Sequence, residues 1–182
     1  MQVFDLETTG ADFRSPTQGG DRHYVAEVAI VTLAESGAVT DRWSTVVRVP
    51  LHDADGGLTD LHTRIHGITW GDTLAAPTWR EVAGEVADRL TGEVVIGHNV
   101  DRFDLPFLRA ALARAGHTLT VARTVDTLTR DRALRPVGSH TLTAACKAWG
   151  LTLTGAHRAL ADTLATADLA TRQAALIGWG GR

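Results

Sequence analysis

Apolar positions along this chain follow two periods, and the change between them divides it. Up to residue 49 they alternate or run in blocks, as strands do, whereas from residue 78 they recur at three- and four-residue steps between short apolar blocks. The segments "QVFDL" (2–6), "VAEVAIVTL" (25–33) and "RWSTVVRV" (42–49) read as strands, with "ESGAV" as the turn between the last two. Three strands joined this way predict an antiparallel meander. A polar, glycine-rich stretch from Gly10 to His23 follows the first strand and reads as a loop on the rim of the fold.

The helical half has clear start and stop signals. "TWRE" at Thr78–Glu81 is a capping box, and Val82, Val86 and Leu90 then share one helix face. "EVVIG" (93–97) reads as a buried strand, 105–115 as a helix closed by Gly116, and "VARTVDTL" contains a further strand. Ser139 is expected to cap a helix with Leu142, Ala145, Cys146 and Trp149 on one stripe, ended by Gly150. An Ala-rich stretch from Arg158 to about Leu176 forms the last, long helix. The expectation is one α/β domain over 1–182, a meander first and then strands alternating with helices.

Composition narrows the class. At 182 residues with 44% hydrophobic and 21% charged positions, the chain suits one ordinary globular core. No apolar run approaches the ~20 residues that span a bilayer, and the first strand begins without a basic leader. A cytoplasmic location and no membrane partner are therefore expected. Cys146 is the only cysteine, which excludes internal disulfides and cysteine-based zinc sites; a place in the core is expected for it rather than a nucleophile's role. The formal charge of −3 argues against a general nucleic-acid coat protein, but residues 102–135 hold seven arginines against three aspartates. That segment is either a phosphate-contacting surface or a solvated face.

Three places hold carboxylates that could do chemistry. In "FDLETTG" (4–10), Asp5 and Glu7 lie two apart on a strand and so point to one face. Like charges held that close repel unless a proton or a cation sits between them. The pair reads as half of a hard-cation site or as a solvated strand end. In "HRALAD" (157–162), His157 precedes a helix and Asp162 lies inside it, again as a site or as surface.

The third place, "GHNVDRFDLPFL" (97–108), offers Asp101 and Asp104, and Pro106 discriminates between them. If Asp101 capped the helix, the proline would fall where its ring clashes and an N–H is required. Starting the helix near Phe103–Asp104 puts Pro106 in the first turn, where it is tolerated. Asp104 then stands at a helix start behind a buried strand, and Asp101 stays in the loop.

In order and spacing, "DLETTG", "GHNVDRFDLPFL" and "HRALAD" resemble the three motifs of the DnaQ-like DEDDh exonucleases. Smaller matches run between them, at "VAEVAIV", "IHGIT", "TWREV", "TVDTL" and "SHTLTAAC". The second motif has three residues between "HN" and "FD", most like the animal three-prime repair exonucleases. The resemblance implies a ribonuclease H-like fold, a five-stranded mixed β-sheet flanked by α-helices. It further implies a 3′-5′ exonuclease with two Mg²⁺ or Mn²⁺ ions, metal ligands Asp5, Glu7, Asp104 and Asp162, and His157 as general base. Loading two such ions on four carboxylates would turn the formal charge from −3 to about +1, which a polyanion tolerates.

Candidates to hold the terminal nucleotide are Leu6, the backbone around Thr8 and Thr9, then His98, Asn99 and Phe103; His66 either approaches the base or packs. The expected partner is a nucleic-acid 3′ end, DNA before RNA, with a larger replication, repair or nuclease complex as a further possibility. An RNA-trimming enzyme and an inactive end-binding module are the alternatives.

Overall fold

The computed structural model describes residues 1–10, 23–50 and 58–180. Residues 11–22 of the expected rim loop fall outside the described residues. A five-stranded sheet forms the centre, in the order β3-β2-β1-β4-β5, built from β1 (Gln2–Thr8), β2 (Val25–Leu33), β3 (Val39–Val46), β4 (Val94–Gly97) and β5 (Arg123–Asp126). β1 pairs antiparallel with β2, and β2 with β3, which is the expected meander. β4 runs parallel to β1 and to β5, so the sheet is mixed, in the ribonuclease H-like arrangement.

Both faces of the sheet are covered, which explains why β2 is apolar almost throughout. On one face, α3 (Trp79–Leu90) and α4 (Asp104–Arg114) pack Val82, Val86, Leu90, Phe107 and Leu112 against Phe4, Leu6, Val28 and Ile30. On the other, α7 (Ala159–Ile177) brings Ala167 and Ala170 against Val3, Val31 and Ile96. Strand alternation then places Asp5 and Glu7 on the α7 side, with Val3. The Glu81 carboxylate closes the expected capping box on the Thr78 N–H at 2.7 Å.

Two boundaries differ from the sequence reading. The third strand begins at Val39 rather than 42, because Ala34 closes a tight turn with Ala38, helped by Gly37 at φ 85°. Ser139 is not the helix cap: α6 (Leu142–Ala148) is capped by the Thr141 hydroxyl, which accepts from the Ala144 N–H at 3.3 Å. Helices α1 (Asp60–His66), α2 (Trp70–Leu74) and α5 (Thr127–Leu134) complete the described elements. No helix among the described residues is long and apolar enough to cross a membrane.

Candidate active site

The C-terminal half of β1 carries Asp5 and Glu7, and the first turn of α7 carries Asp162. One oxygen from each carboxylate lies within 4.8 Å of the others. Asp104 is the first residue of α4, only 4% exposed, and the Leu6 N–H and its own N–H act on its carboxylate. Pro106 is the third residue of that helix, in its first turn. Asp101 is exposed in the loop before it. The structure thus separates the two aspartates as the proline requires.

Crowding and burial leave these acids reluctant to ionise. Asp5 is held well above the usual carboxylate range by burial first, then by Asp104, Glu7, Asp162 and Glu27. Burial, with Asp162 and Glu27 next, pushes Glu7 up to about 8. Asp104 rises to about 7 through burial, although its backbone N–H partners oppose the shift. Asp162 is also raised by burial, against the His157 N–H. A divalent cation inverts this balance, because it favours the charged form of every carboxylate around it.

The donor set fits such an ion. Asp162 Oδ2 accepts the backbone N–H of His157 at 3.0 Å, while its Oδ1 is buried without a hydrogen-bond partner. A buried carboxylate oxygen left unpaired beside two other carboxylates is a missing-ligand signature. All the convergent donors are oxygens, the preference of hard ions such as Mg²⁺ or Mn²⁺. His157 itself is exposed on the turn before α7, in the left-handed region at φ 65°.

Glu27 was not singled out from sequence, yet it anchors this arrangement. It stands opposite Glu7 in the β1–β2 ladder and is 4% exposed. Its carboxylate accepts from Arg158 Nε at 3.1 Å and Nη2 at 2.9 Å, and from the Ala159 N–H at 2.9 Å. The start of α7 is therefore bonded to β2, which positions Asp162 over β1. The available signal was a lone glutamate inside the apolar run "VAEVAIV".

Asp126 does a similar job for the second motif. It caps α5 through the Leu128 N–H at 2.9 Å and also accepts the Asn99 N–H at 3.0 Å. Asn99 takes a left-handed φ of 69°, and its carbonyl accepts from the N–H groups of Arg102 and Phe103. Gly97 leaves room for this fold-back, since a Cβ there would stand 2.7 Å from Val100.

The expected nucleotide-holding residues divide. His98 donates from Nε2 to the His140 carbonyl at 2.8 Å, and its Nδ1 lies 2.9 Å from the Thr127 hydroxyl, so its ring braces the loop. The Thr9 N–H goes to the Tyr24 carbonyl at 3.0 Å and its hydroxyl accepts the Tyr24 N–H at 2.9 Å, which commits both to the fold. The Thr8 hydroxyl donates to the Gly10 carbonyl. Leu6 is a core residue, and its N–H serves Asp104. Phe103 is partly buried, 6.0 Å between ring centroids from Phe107. His66 is 3% exposed and accepts the Ile68 N–H on Nδ1, while its Nε2 is buried and unpaired. Of this set, His66 alone pairs burial with an unsatisfied ring nitrogen.

Comparison with known proteins shows the family and the fold. A family model described as exonuclease, of the RNase T type, matches residues 2–170. The 3′-5′ exonuclease DinG of Staphylococcus aureus is 29% identical over 170 residues, which is 92% of this chain but only 17% of that protein. Among solved structures, exonuclease X in complex with 5′-overhanging duplex DNA superposes with a TM-score of 0.74 at 23% identity, over 99% of this chain and 94% of that one. A zinc-bound complex of Escherichia coli exonuclease I with single-stranded DNA gives 0.77 at 21% identity, over 96% and 40%. A 3′-exonuclease that recognises the histone mRNA stem-loop gives 0.68 at 19% identity, over 94% and 62%.

Proposed function

The chain belongs to the RNase T-type exonuclease family, and on that premise we propose that it removes nucleotides from the 3′ end of a polynucleotide by hydrolysis. The observation that carries the reading is the convergence of Asp5, Glu7 and Asp162 with an unpaired buried oxygen on Asp162. Two divalent cations held by these three residues and Asp104 would supply Lewis acidity toward the phosphodiester and its attacking water.

The chain's own residues do the rest. His157, exposed beside Asp162, takes the water's proton on a ring nitrogen. The water oxygen bonds to phosphorus as the P–O3′ bond breaks and the departing 3′ oxygen takes up a proton, leaving a nucleoside 5′-monophosphate and a strand shorter by one. Glu27 and Arg158 hold α7 so that Asp162 meets Asp5 and Glu7. Asp126 and His98 hold the loop that leads into Asp104.

DNA is the favoured substrate. The neighbours solved with DNA support it, and the resemblance of the second motif to that of the animal three-prime repair exonucleases is part of the same reading. RNA is the second reading, favoured by the histone mRNA exonuclease neighbour. With all four acids and His157 present, an inactive binding module is disfavoured. The described residues share one central sheet, which supports reading 1–182 as one exonuclease domain. The chain spans about a sixth of the length of the curated relatives it matches. Incubation of 3′- and 5′-labelled single-stranded DNA, duplex DNA and RNA with Mg²⁺ or Mn²⁺ tests the reading. Mononucleotide release from the 3′ end is expected; internal cuts or no cuts would sink it.

A further inference from the structure

Helices α5 and α6 close around a buried acid of their own, Asp131, which is 0% exposed. Its Oδ1 accepts from Arg135 Nε at 2.9 Å and from the Trp149 indole N–H at 2.7 Å. Its Oδ2 accepts from Arg135 Nη2 at 2.7 Å and stands 2.6 Å from His140 Nδ1. Burial opposes a charge here, but Arg135, Trp149 and His140 hold the carboxyl down to about 2. An ionised carboxylate only accepts, so the proton between the two residues lies on His140 Nδ1.

These bonds also fix the backbone around His140. Arg135 Nη2 reaches the Ser139 carbonyl at 3.1 Å, and the Thr141 hydroxyl caps α6. Residues 139, 140 and 141 are thus each held by a side-chain bond. The His140 carbonyl between them accepts His98 Nε2–H at 2.8 Å, across 42 residues of sequence.

His98 turns this anchor into a constraint on the second motif. Its ring is held on both edges, with Nδ1 2.9 Å from the Thr127 hydroxyl. That hydroxyl's one proton is shared between Nδ1 and the Gly97 carbonyl at 3.1 Å. Burial lowers the ring's affinity for a second proton, so neutral His98 serves as donor on one edge and acceptor on the other. Asn99 follows at a left-handed φ of 69°, and the loop it begins ends on Asp104 at the head of α4. A shift at His98 is carried along this short loop to the Asp104 carboxylate. Misplacement by about 1 Å can cost about 10²-fold in rate.

We propose that His140, held by Asp131, is a positioning residue for the reaction: it seats the His98 ring and thereby the loop that presents Asp104. The inference rests on the exonuclease reading above and adds to it a residue that acts through others.

The test compares His140→Ala with His140→Asn, whose side-chain N–H stands where Nδ1 does and still donates to Asp131. His98→Ala and the double variant His98→Ala/His140→Ala complete a cycle. Rates are measured with Mn²⁺ on single-stranded DNA or RNA, whichever the wild type degrades, well below every melting temperature. His140→Ala should lower kcat about tenfold or more with KM within about threefold, and His140→Asn should recover most of that loss. The double variant should be no slower than His98→Ala alone, because one path carries both effects. Amide exchange gives a reading that needs no activity. In His140→Ala the bonded Asn99 and Phe103 N–H groups should exchange about tenfold faster or more, while Val86 and Leu90 in α3 stay unchanged. Losses that add in the double variant, an Asn variant as slow as the Ala one, or unchanged exchange at Asn99 and Phe103 would overturn the proposal. So would exchange that rises equally in α3, which marks general destabilisation. If the wild type hydrolyses neither substrate, the exonuclease reading fails by itself. The exchange rates then still decide what His140 holds.

Discussion

The backbone N–H of His157 donates to Oδ2 of Asp162 at 3.0 Å, while the histidine ring is exposed. The general-base candidate is thus tied to the metal-ligand candidate by its main chain, and its side chain is left for chemistry. His157→Ala keeps that N–H, so Asp162 should stay in place. The variant should lose about 10²- to 10⁴-fold in single-turnover rate with metal and strand binding retained. His157→Gly should be equally slow but melt no lower than the Ala variant, because the left-handed φ of 65° suits glycine. Undiminished single-turnover rates would remove the ring from the mechanism.

Asp104 is buried at the start of α4 and Asp101 is exposed three residues earlier. Asp104→Asn should cut turnover by about 10³-fold or more, equivalent to about 4 kcal/mol of transition-state stabilisation. Asp101→Asn should stay within about tenfold of the wild type. Steady-state assays on one single-stranded substrate decide between them, and reversed phenotypes would reject this assignment of the second motif.

Stability without metal should depend on pH in a defined sense. Glu7 is raised to about 8 and Asp104 to about 7 in the folded chain. The folded state therefore holds more protons than the unfolded one between the ordinary carboxylate range and those values. Stability in EDTA should fall as pH rises from about 4 to 8 and level off beyond. A divalent ion bound only by the folded state should restore about 2.7 kcal/mol at a hundred times its dissociation constant. Glu7→Gln should melt higher than the wild type in EDTA at pH 8 and gain much less from Mn²⁺. Melting temperatures that are flat with pH and insensitive to Mn²⁺ would mean that the carboxylates do not form an ion site.

Glu27 receives three hydrogen bonds from Arg158 and Ala159. Glu27→Ala leaves the first turn of α7 without its partner and should cost about 1–3 kcal/mol, read as a lower melting temperature. Activity should fall with it, because Asp162 shares that turn. Glu27→Gln keeps an acceptor and should fall between the two. An unaltered melting temperature in Glu27→Ala would show that the clamp is idle.

Cys146 is 1% exposed, and burial pushes its thiol up to about 11. Alkylation by iodoacetamide at pH 7.5 should be slow in the native protein and fast in denaturant. Cys146→Ser should retain exonuclease activity. Rapid native labelling with loss of activity would contradict a core role.

Local signals in the sequence determined much of this protein. Alternation put Asp5 and Glu7 on one face, Pro106 chose Asp104 over Asp101, and the block pattern separated the meander from the helical half. Each depends on residues within a few positions of one another, where period and sterics act directly. Tertiary structure alone decided the partners. Glu27 reaches Arg158 and Ala159 across more than 130 residues, and its lone position in an apolar strand did not reveal what it would bond. His98 was expected at the nucleotide, but the His140 carbonyl, 42 residues away, takes its Nε2–H. Thr9 lost its N–H to Tyr24 in the same way. Hydrogen-bond partners are set by which groups folding leaves buried together, and burial is a property of the assembled layers, not of any one segment.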